Sequence, residues 1–485
     1  DNLQIRMGIK NFLRKNYLWL ILFIGFSARA LFYLFVAKIY YGTSDFYVGG
    51  DTSGWMICIQ NLIHHGTYTM EFSEPTGYFF RPPGYSFFIG FFYLLSGENT
   101  DLCYRMIIWA QIFLDTISIL LIYKIVERVS ASKRWGALSA LLYALYPFVI
   151  VWTPIVYAET FSVFIVLFSL WNLVRHSRKR HLFLCGVFLG IASLTRLQLI
   201  FVFPSVLLAV LFHYRNNFYA VLKYVSLITV GFVITYGWWP ARNYFLHDRL
   251  IFSQDLSAVI NWDKDYMGFM DYVFAVKTDY QPQYSQIVNG GEHVEWPPAA
   301  YIVKGDSEKL ALVSKMCHDC GYGFSAFIKN EGLRKGNLPK DSSCSAEIAQ
   351  LWSELKANQV QYNKANYYLW VPLGNLKKCF FKNGLYKPST GMVYFASSVL
   401  FGYRTIMIFL GLSGLILFYW MKKKIPLLMK IILLYFILWY FWNSFVYRNM
   451  EIRFLIHADL LLLIPAAFLL LTIVEKIADR KKSVQ

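Results

Sequence analysis

Residues 14–55 read RKNYLWLILFIGFSARALFYLFVAKIYYGTSDFYVGGDTSGW: two cations, an apolar run from Tyr17 to about Tyr40, a short polar link, then Gly49-Gly50-Asp51. At 1.5 Å per residue such a run can cross ~30 Å of hydrocarbon. It lacks the short apolar core and small-residue cleavage site of a signal peptide. It therefore reads as an uncleaved first span, with Arg6, Lys10, Arg14 and Lys15 holding its N-terminus in the cytoplasm.

The rest of the chain repeats this pattern. Of 485 residues 57% are hydrophobic and 16% charged, with mean hydropathy +0.41, whereas soluble domains carry about 25% charged residues. That composition argues against a water-soluble enzyme. Further spans are expected near Cys103 to Ile125, Trp135 to Trp152, Tyr157 to Leu173, Leu182 to Leu194, Leu197 to Phe212, Leu222 to Trp239, Ser397 to Trp420, Ile425 to Phe441 and Phe454 to Val474. Tyr85 to Leu95 is too short to cross, and entered through Arg81-Pro82-Pro83-Gly84 it reads as a re-entrant or interfacial helix. With it set aside, Lys124, Arg128, Lys133, Arg134, the 175–180 cluster with His176, Arg215, Lys422 to Lys424 and the tail with Lys476, Arg480, Lys481 and Lys482 all fall on one side. Both termini are then cytoplasmic. The net charge of +18 is mostly topology, and a nucleic-acid partner is not expected.

The expected fold is thus an all-α polytopic membrane protein of about ten transmembrane helices in three parts. Residues 1–240 form a transmembrane module with a first outer loop at 41–102, 241–396 a mixed extracytoplasmic domain, and 397–485 the last spans and a basic tail. Within the second loop, Ser307 to Lys315 and Ser345 to Lys356 have helical apolar spacing. Cys317, Cys320, Cys344 and Cys379 also lie there, an even count that suggests two disulfides with the pairing open. Free thiols, or zinc at the Cys317-His318-Asp319-Cys320 element, are the competing readings. No Asn-x-Ser/Thr acceptor occurs, which favours a bacterial inner membrane over an endoplasmic reticulum.

Asp51 is the residue best placed for chemistry. Two glycines before it leave its carboxylate little covered, as a general base requires. The plainer alternative is that Asp51 caps a helix beginning at Thr52. Buried charges are the other costly feature: Arg29 and Asp115 fall inside spans and are expected to pair, so that exchanging the two charges would rescue either single loss.

Taken in order, Gly-Gly-Asp-x-x-Gly-Trp at 49–55, Arg81-Pro82-Pro83-Gly84-Tyr85, Leu194-Thr195-Arg196, Trp239-Pro240-Ala241-Arg242-Asn243-Tyr244 and Glu451-Ile452-Arg453-Phe454 resemble the C-type superfamily of integral membrane glycosyltransferases, which includes protein O-mannosyltransferases and the lipid A aminoarabinose transferase. The resemblance covers the first 260 residues and 448–465; residues 265–395 match nothing in it. It implies a sugar donor on a polyprenyl phosphate, inverting transfer on the periplasmic face, and a first-loop acid acting as base on the acceptor hydroxyl, here Asp51. Arg81, Arg196, Arg242 and Arg453 would hold the leaving lipid phosphate. Each could instead be a snorkelling or structural arginine.

Glu159 would be a second acid orienting the acceptor, or else an acid stabilised by its helix dipole. Tyr85, Glu451 and His457 would line the substrate pocket; Glu451 with Arg453 could equally be an ion pair closing the last hairpin, and His457 a satisfied buried histidine. No metal site is indicated, although a divalent cation is left open. The expected partners are the lipid-linked donor, membrane lipids, and a glycan, glycolipid or protein acceptor. Two rivals remain at this stage: a flippase of lipid-linked glycans, which would place polar groups near the midplane rather than in outer loops, and a ligase or polymerase using a lipid-diphosphate donor.

Overall fold

The structure is a computed structural model that describes residues 2–41, 44–175, 178–257, 262–325, 329–330, 333–334, 341–381, 392–421, 424–449 and 451–484. Among these residues the architecture is helical, apart from an isolated parallel bridge between Tyr47 and Ile155 and a short hairpin pairing Lys329–Asn330 with Leu333–Arg334. Among the described residues seven helices are long and apolar enough to cross a membrane: Asn16–Tyr41, Thr100–Ser130, Leu197–Tyr214, Phe218–His247, Ser398–Met421, Leu427–Tyr447 and Ile452–Arg480. The other three expected spans are shorter. Tyr157 to Leu173 becomes Ala158–Val174 and Leu182 to Leu194 becomes Lys179–Thr195, each 17 residues, about 25 Å and at the lower limit for a span. Trp135 to Trp152 is broken into Lys133–Ala144 and Pro147–Trp152, because Pro147 has no N–H to continue the first helix but starts the second well.

The short apolar segment forms the 12-residue helix Gly84–Leu95. It sits against the end of Lys179–Thr195 so closely that a Cβ on Gly84 would lie 2.6 Å from the backbone of Leu194 and Thr195. Only glycine permits this contact, which sets Arg81 and Arg196 on neighbouring elements. The start of the large loop shifts: the helix before it does not stop at Pro240 but runs on as Trp238–His247. Pro240 stands in the first turn of that helix, where a missing N–H costs nothing.

The 241–396 region is more helical than its expected mixed character. Ser307 to Lys315 lies within Asp306–Asp319 and Ser345 to Lys356 within Ser342–Tyr362, joined by Lys264–Val276, Gln281–Val288 and Val371–Phe381. Its own apolar core is aromatic, with the fully buried Trp352 ring 5.6, 5.2 and 5.8 Å from those of Phe269, Tyr272 and Trp296. A single disulfide, Cys320–Cys344, ties two of these helices, while Cys317 and Cys379 are buried free thiols. The expectation of two disulfides is therefore corrected: Cys379 packs against Ser444 of the last hairpin, 3.6 Å away.

Two ion pairs are buried inside the spans. Arg29 forms an ion pair with Asp115, which also accepts from the Tyr143 hydroxyl. A second pair, unforeseen in the sequence, joins Arg404 to Asp459 at 2.7 Å, with the Tyr440 hydroxyl 2.5 Å from the same carboxylate. The basic residues Arg128, Lys133, Arg134, Arg175, Arg178 to Arg180, Arg215 and Lys424 lie at helix ends remote from Asp51, as the spans' direction requires. His176, Lys422 and Lys423 lie outside the described residues, as do the side chains of Arg6, Lys10, Arg14, Lys15, Lys481 and Lys482.

Arg29 also donates to the carbonyls of Gly25 and Ala144, both at 2.8 Å. A carboxylate at position 29 would face those oxygens, so exchanging the two charges is no longer the expected rescue. We predict instead that Asp115→Leu alone destabilises the detergent-solubilised protein by about 3–5 kcal/mol, because it leaves a buried cation unpaired, and that adding Arg29→Met recovers most of the loss. Thermal unfolding of the two variants measures this; a double variant no better than the single one would contradict it.

Candidate active site

Asp51 is the second residue of helix Gly50–His65, whose N-cap position is Gly49. Its carboxylate is not spent on capping. One oxygen lies 2.5 Å from an Arg81 guanidinium nitrogen and the other 2.6 Å from Arg453. Arg453 reaches on to Glu451 at 2.5 Å. Beside this chain a second pair, Glu159 with Arg196, is almost wholly buried. The Phe454 ring lies under both guanidiniums, 5.3 Å from Arg453 and 5.8 Å from Arg196, and joins the two pairs.

Local structure explains this convergence. The stretch before Asp51 is pinned as an isolated parallel bridge: Tyr47 N–H donates to the Pro154 carbonyl and Val156 N–H to that of Tyr47, both at 3.0 Å. Thr52 donates to the Val156 carbonyl at 2.8 Å. These bonds fix the Asp51 helix against the segment that leads to Glu159. Gly49 fits there only because it has no side chain, since a Cβ would stand 2.2 Å from the Tyr157 hydroxyl and 2.8 Å from the Tyr47 ring. Gly50, by contrast, has nothing within 4 Å.

Asp51 is held ionised. Burial would raise its carboxyl pKa, but the guanidiniums of Arg81 and Arg453 outweigh that and hold it below the ordinary carboxylate range. Asp51, Arg81 and Arg453 remain 22%, 16% and 20% exposed, enough for a ligand to touch them, whereas Glu159 and Arg196 are almost wholly buried. Arg81 has a further buried nitrogen, Nε, with no hydrogen-bond partner.

The other sequence candidates lie further back. Arg242 donates to the Tyr68 carbonyl at 2.9 Å, the Tyr78 carbonyl at 2.8 Å and the Asn243 side chain at 2.8 Å, so its guanidinium ties the first loop to the Trp238–His247 helix. Tyr85 is fully buried with its hydroxyl donating to Gln111, which in turn donates to the carbonyls of Thr153 and Ile155. It backs the site rather than lining its opening. His457 is buried with its ring nitrogen 2.8 Å from the Ser162 hydroxyl. Glu451 is the exposed acid of the group, 44% accessible.

Sequence reading missed three contributors. Tyr157 lies under Arg453, 5.5 Å from ring centre to guanidinium, and meets Gly49. Gln111 is the polar hub behind Tyr85. Arg448, in the left-handed conformation at φ 61°, sits 4.0 Å over the Tyr367 ring and donates to the Phe274 carbonyl, joining the loop domain to the last hairpin. Among the described residues no group of three or more His, Cys, Asp or Glu comes together as metal ligands. A cavity of about 1050 Å³ beside Tyr214, Trp420 and Lys430 lies at the opposite ends of the spans.

Residues 80–239, less than half of the chain, match the family described as dolichyl-phosphate-mannose-protein mannosyltransferase. That segment holds Arg81, Glu159 and Arg196 but neither Asp51 nor Arg453. Among solved structures the chain is similar to the archaeal oligosaccharyltransferase AglB from Archaeoglobus fulgidus, in complex with an inhibitory peptide and a dolichol-phosphate, at 12% identity and TM-score 0.50, covering 97% of this chain and 52% of that one. It is also similar to ArnT from Cupriavidus metallidurans bound to undecaprenyl phosphate, at 12% identity and TM-score 0.36, covering 93% and 76%. The chain spans about half the length of the oligosaccharyltransferase. No curated protein matches it by sequence. The resemblance drawn from the short motifs is borne out in the fold and over residues 80–239.

The contrast between the two glycines before Asp51 gives a test of this geometry. Gly49→Ala is expected to lower stability by about 1–3 kcal/mol through overpacking against Tyr157 and Tyr47, while Gly50→Ala is expected to be near neutral. Thermal unfolding compares them; equal effects would mean that Asp51 is not seated as described.

Proposed function

We propose that the protein transfers a monosaccharide from a polyprenyl-phosphate donor to an envelope glycan, glycolipid or protein, with inversion, at the membrane face that carries both long loops. The observation that carries this reading is the Asp51 carboxylate bridged by Arg81 and Arg453, an acid and two phosphate-binding groups in one partly open place. The match of residues 80–239 to a family named for a lipid-phosphate sugar donor supports it, as does the fold shared with an oligosaccharyltransferase that holds a dolichol-phosphate. The run of cations at the remote helix ends supports a cytoplasmic assignment for that face and an extracytoplasmic one for Asp51. A bacterial inner membrane and an acceptor-binding role for 241–396 belong to the same proposal.

In the proposed reaction the acceptor hydroxyl oxygen attacks the anomeric carbon from the side opposite the phosphate. Asp51 takes the hydroxyl proton, the bond from C1 to the phosphate oxygen breaks, and its electron pair leaves with the lipid phosphate. A carboxylate gripped by two guanidiniums is a poor base. The donor phosphate resolves this by competing for Arg81 and Arg453, since guanidinium pairs bidentately with phosphate as well as with carboxylate. Asp51 then regains basicity only when a donor is present. Arg196, fixed by Glu159, adds a third positive charge that acts on Asp51 and on the leaving group.

Transfer from a synthetic polyprenyl-phosphate sugar by purified wild type and Asp51→Asn tests the proposal. The variant is expected to bind donor and lose about 10²–10⁴ in turnover, the usual worth of a general base; an Asn variant that keeps most of its turnover would eliminate Asp51 as base. Because the free enzyme's Asp51 is held below the ordinary carboxylate range, kcat/KM should be flat through that range and fall only below it. The same depressed value gives the folded state stability that is present above the unfolded carboxyl's pKa and lost as pH falls through the folded one.

A further inference from the structure

The helix Val371–Phe381 starts among the loop helices and ends among the spans. Near its start, a Cβ on Gly374 would meet the Thr278 side chain at 3.0 Å, and Lys378 reaches back to donate to the Thr278 carbonyl at 2.6 Å. Its end is packed against two membrane helices. The Phe380 ring is 5.7 Å from that of Phe409, 5.4 Å from Tyr440 and 6.3 Å from Phe436, and the Phe381 ring is 6.0 Å from Phe409. Tyr440 and Phe436 belong to Leu427–Tyr447, whose Tyr447 end leads into the hairpin that carries Arg453. At 1.5 Å per residue from Tyr447, the Phe380 ring lies ~10–16 Å down that span.

The last four carbonyls of a helix have no partner within it, and water serves them where it can reach. At membrane depth the protein must supply the donors. Here a span does so: Arg404 donates to the Cys379 carbonyl at 2.8 Å and Thr405 to that of Phe380 at 2.6 Å. Arg404 thus has a second task besides Asp459, and a cation is the favoured charge at a helix C-terminus. The two sides of the helix differ. Asn375 and Cys379 are buried against Ser444 of the last hairpin, whereas Trp370, Leu373, Lys377 and Phe381 form one exposed stripe at helical spacing. Phe381, 57% exposed, continues the surface of Phe409, which is 46% exposed on its own span. Lys377 is long enough for its ammonium to rise to the headgroups, and Trp370 begins the stripe, as a tryptophan at a membrane interface would.

We propose that Val371–Phe381 is a re-entrant helix, entering the membrane from the Asp51 side and presenting Leu373 and Phe381 to the acyl chains of that leaflet. Its partner is the lipid hydrocarbon, and it anchors the 241–396 region beside the hairpin that carries Arg453. The inference is independent of the transferase reading.

The test uses the purified full chain in phosphatidylcholine nanodiscs, with the photo-crosslinker p-benzoylphenylalanine in place of Phe381, Leu373, Ile416 or Leu312, one position at a time. Ile416 is exposed on a span and Leu312 on the loop helix Asp306–Asp319. After irradiation, mass spectrometry is expected to find lipid adducts at 381 and 373 as abundant as at 416, and none at 312. The Leu373 position decides if the chain altered at Phe381 does not fold; adducts at 381 alone still place the helix end among acyl chains. Adducts at 416 with none at 381 or 373, or at 381 no more abundant than at 312, would overturn the proposal. So would adducts at 373 but not at a folded 381 variant, because the helix then lies on the membrane and not in it.

Discussion

The bridge from Arg81 through Asp51 to Arg453 holds together elements that are far apart in the chain. Position 51 belongs to the first loop, 81 to the stretch before the interfacial helix, and 453 to the start of the last span, 402 residues away from Asp51. A carboxylate with two guanidiniums at 2.5 and 2.6 Å satisfies both of its oxygens at once. Removing it would leave two cations facing each other in a half-buried place, where the loss of one partner costs more than the pair contributes. The rest of the arrangement serves this contact: the bridge at Tyr47, the bare Gly49, and the Gly84 crossing that brings Arg196 alongside.

Charge inside the spans follows a different logic. The Arg29 and Asp115 pair and the Arg404 and Asp459 pair are each joined by a tyrosine hydroxyl and by backbone carbonyls, as intramembrane charges require. They fasten helices. The charges around Asp51, by contrast, keep part of their surface open.

Much of this was legible in the sequence. Apolar run length and the side of the cations gave the helical membrane fold, and the Gly-Gly-Asp and Arg-Pro-Pro-Gly-Tyr motifs led to Asp51 and Arg81. Asp51 as a helix cap was a fair reading of local preference, yet the cap position fell to Gly49 because the carboxylate gains more from two guanidiniums. What stayed hidden depends on contacts between distant segments. The pairing of Glu159 with Arg196, the carbonyls that occupy Arg242 and the burial of Tyr85 behind Gln111 are set by tertiary packing. Arg404 and Asp459 both fall inside expected spans, so the rule that pairs Arg29 with Asp115 applies to them as well.

The central claim is that donor phosphate and Asp51 share the same two guanidiniums. The most direct measurement is an experimental structure of the full chain with a polyprenyl phosphate bound. The account predicts the phosphate against Arg81 and Arg453, with at least one of the Asp51 contacts opened and the carboxylate turned toward free space. A phosphate bound elsewhere, with both Asp51 ion pairs intact, would contradict it.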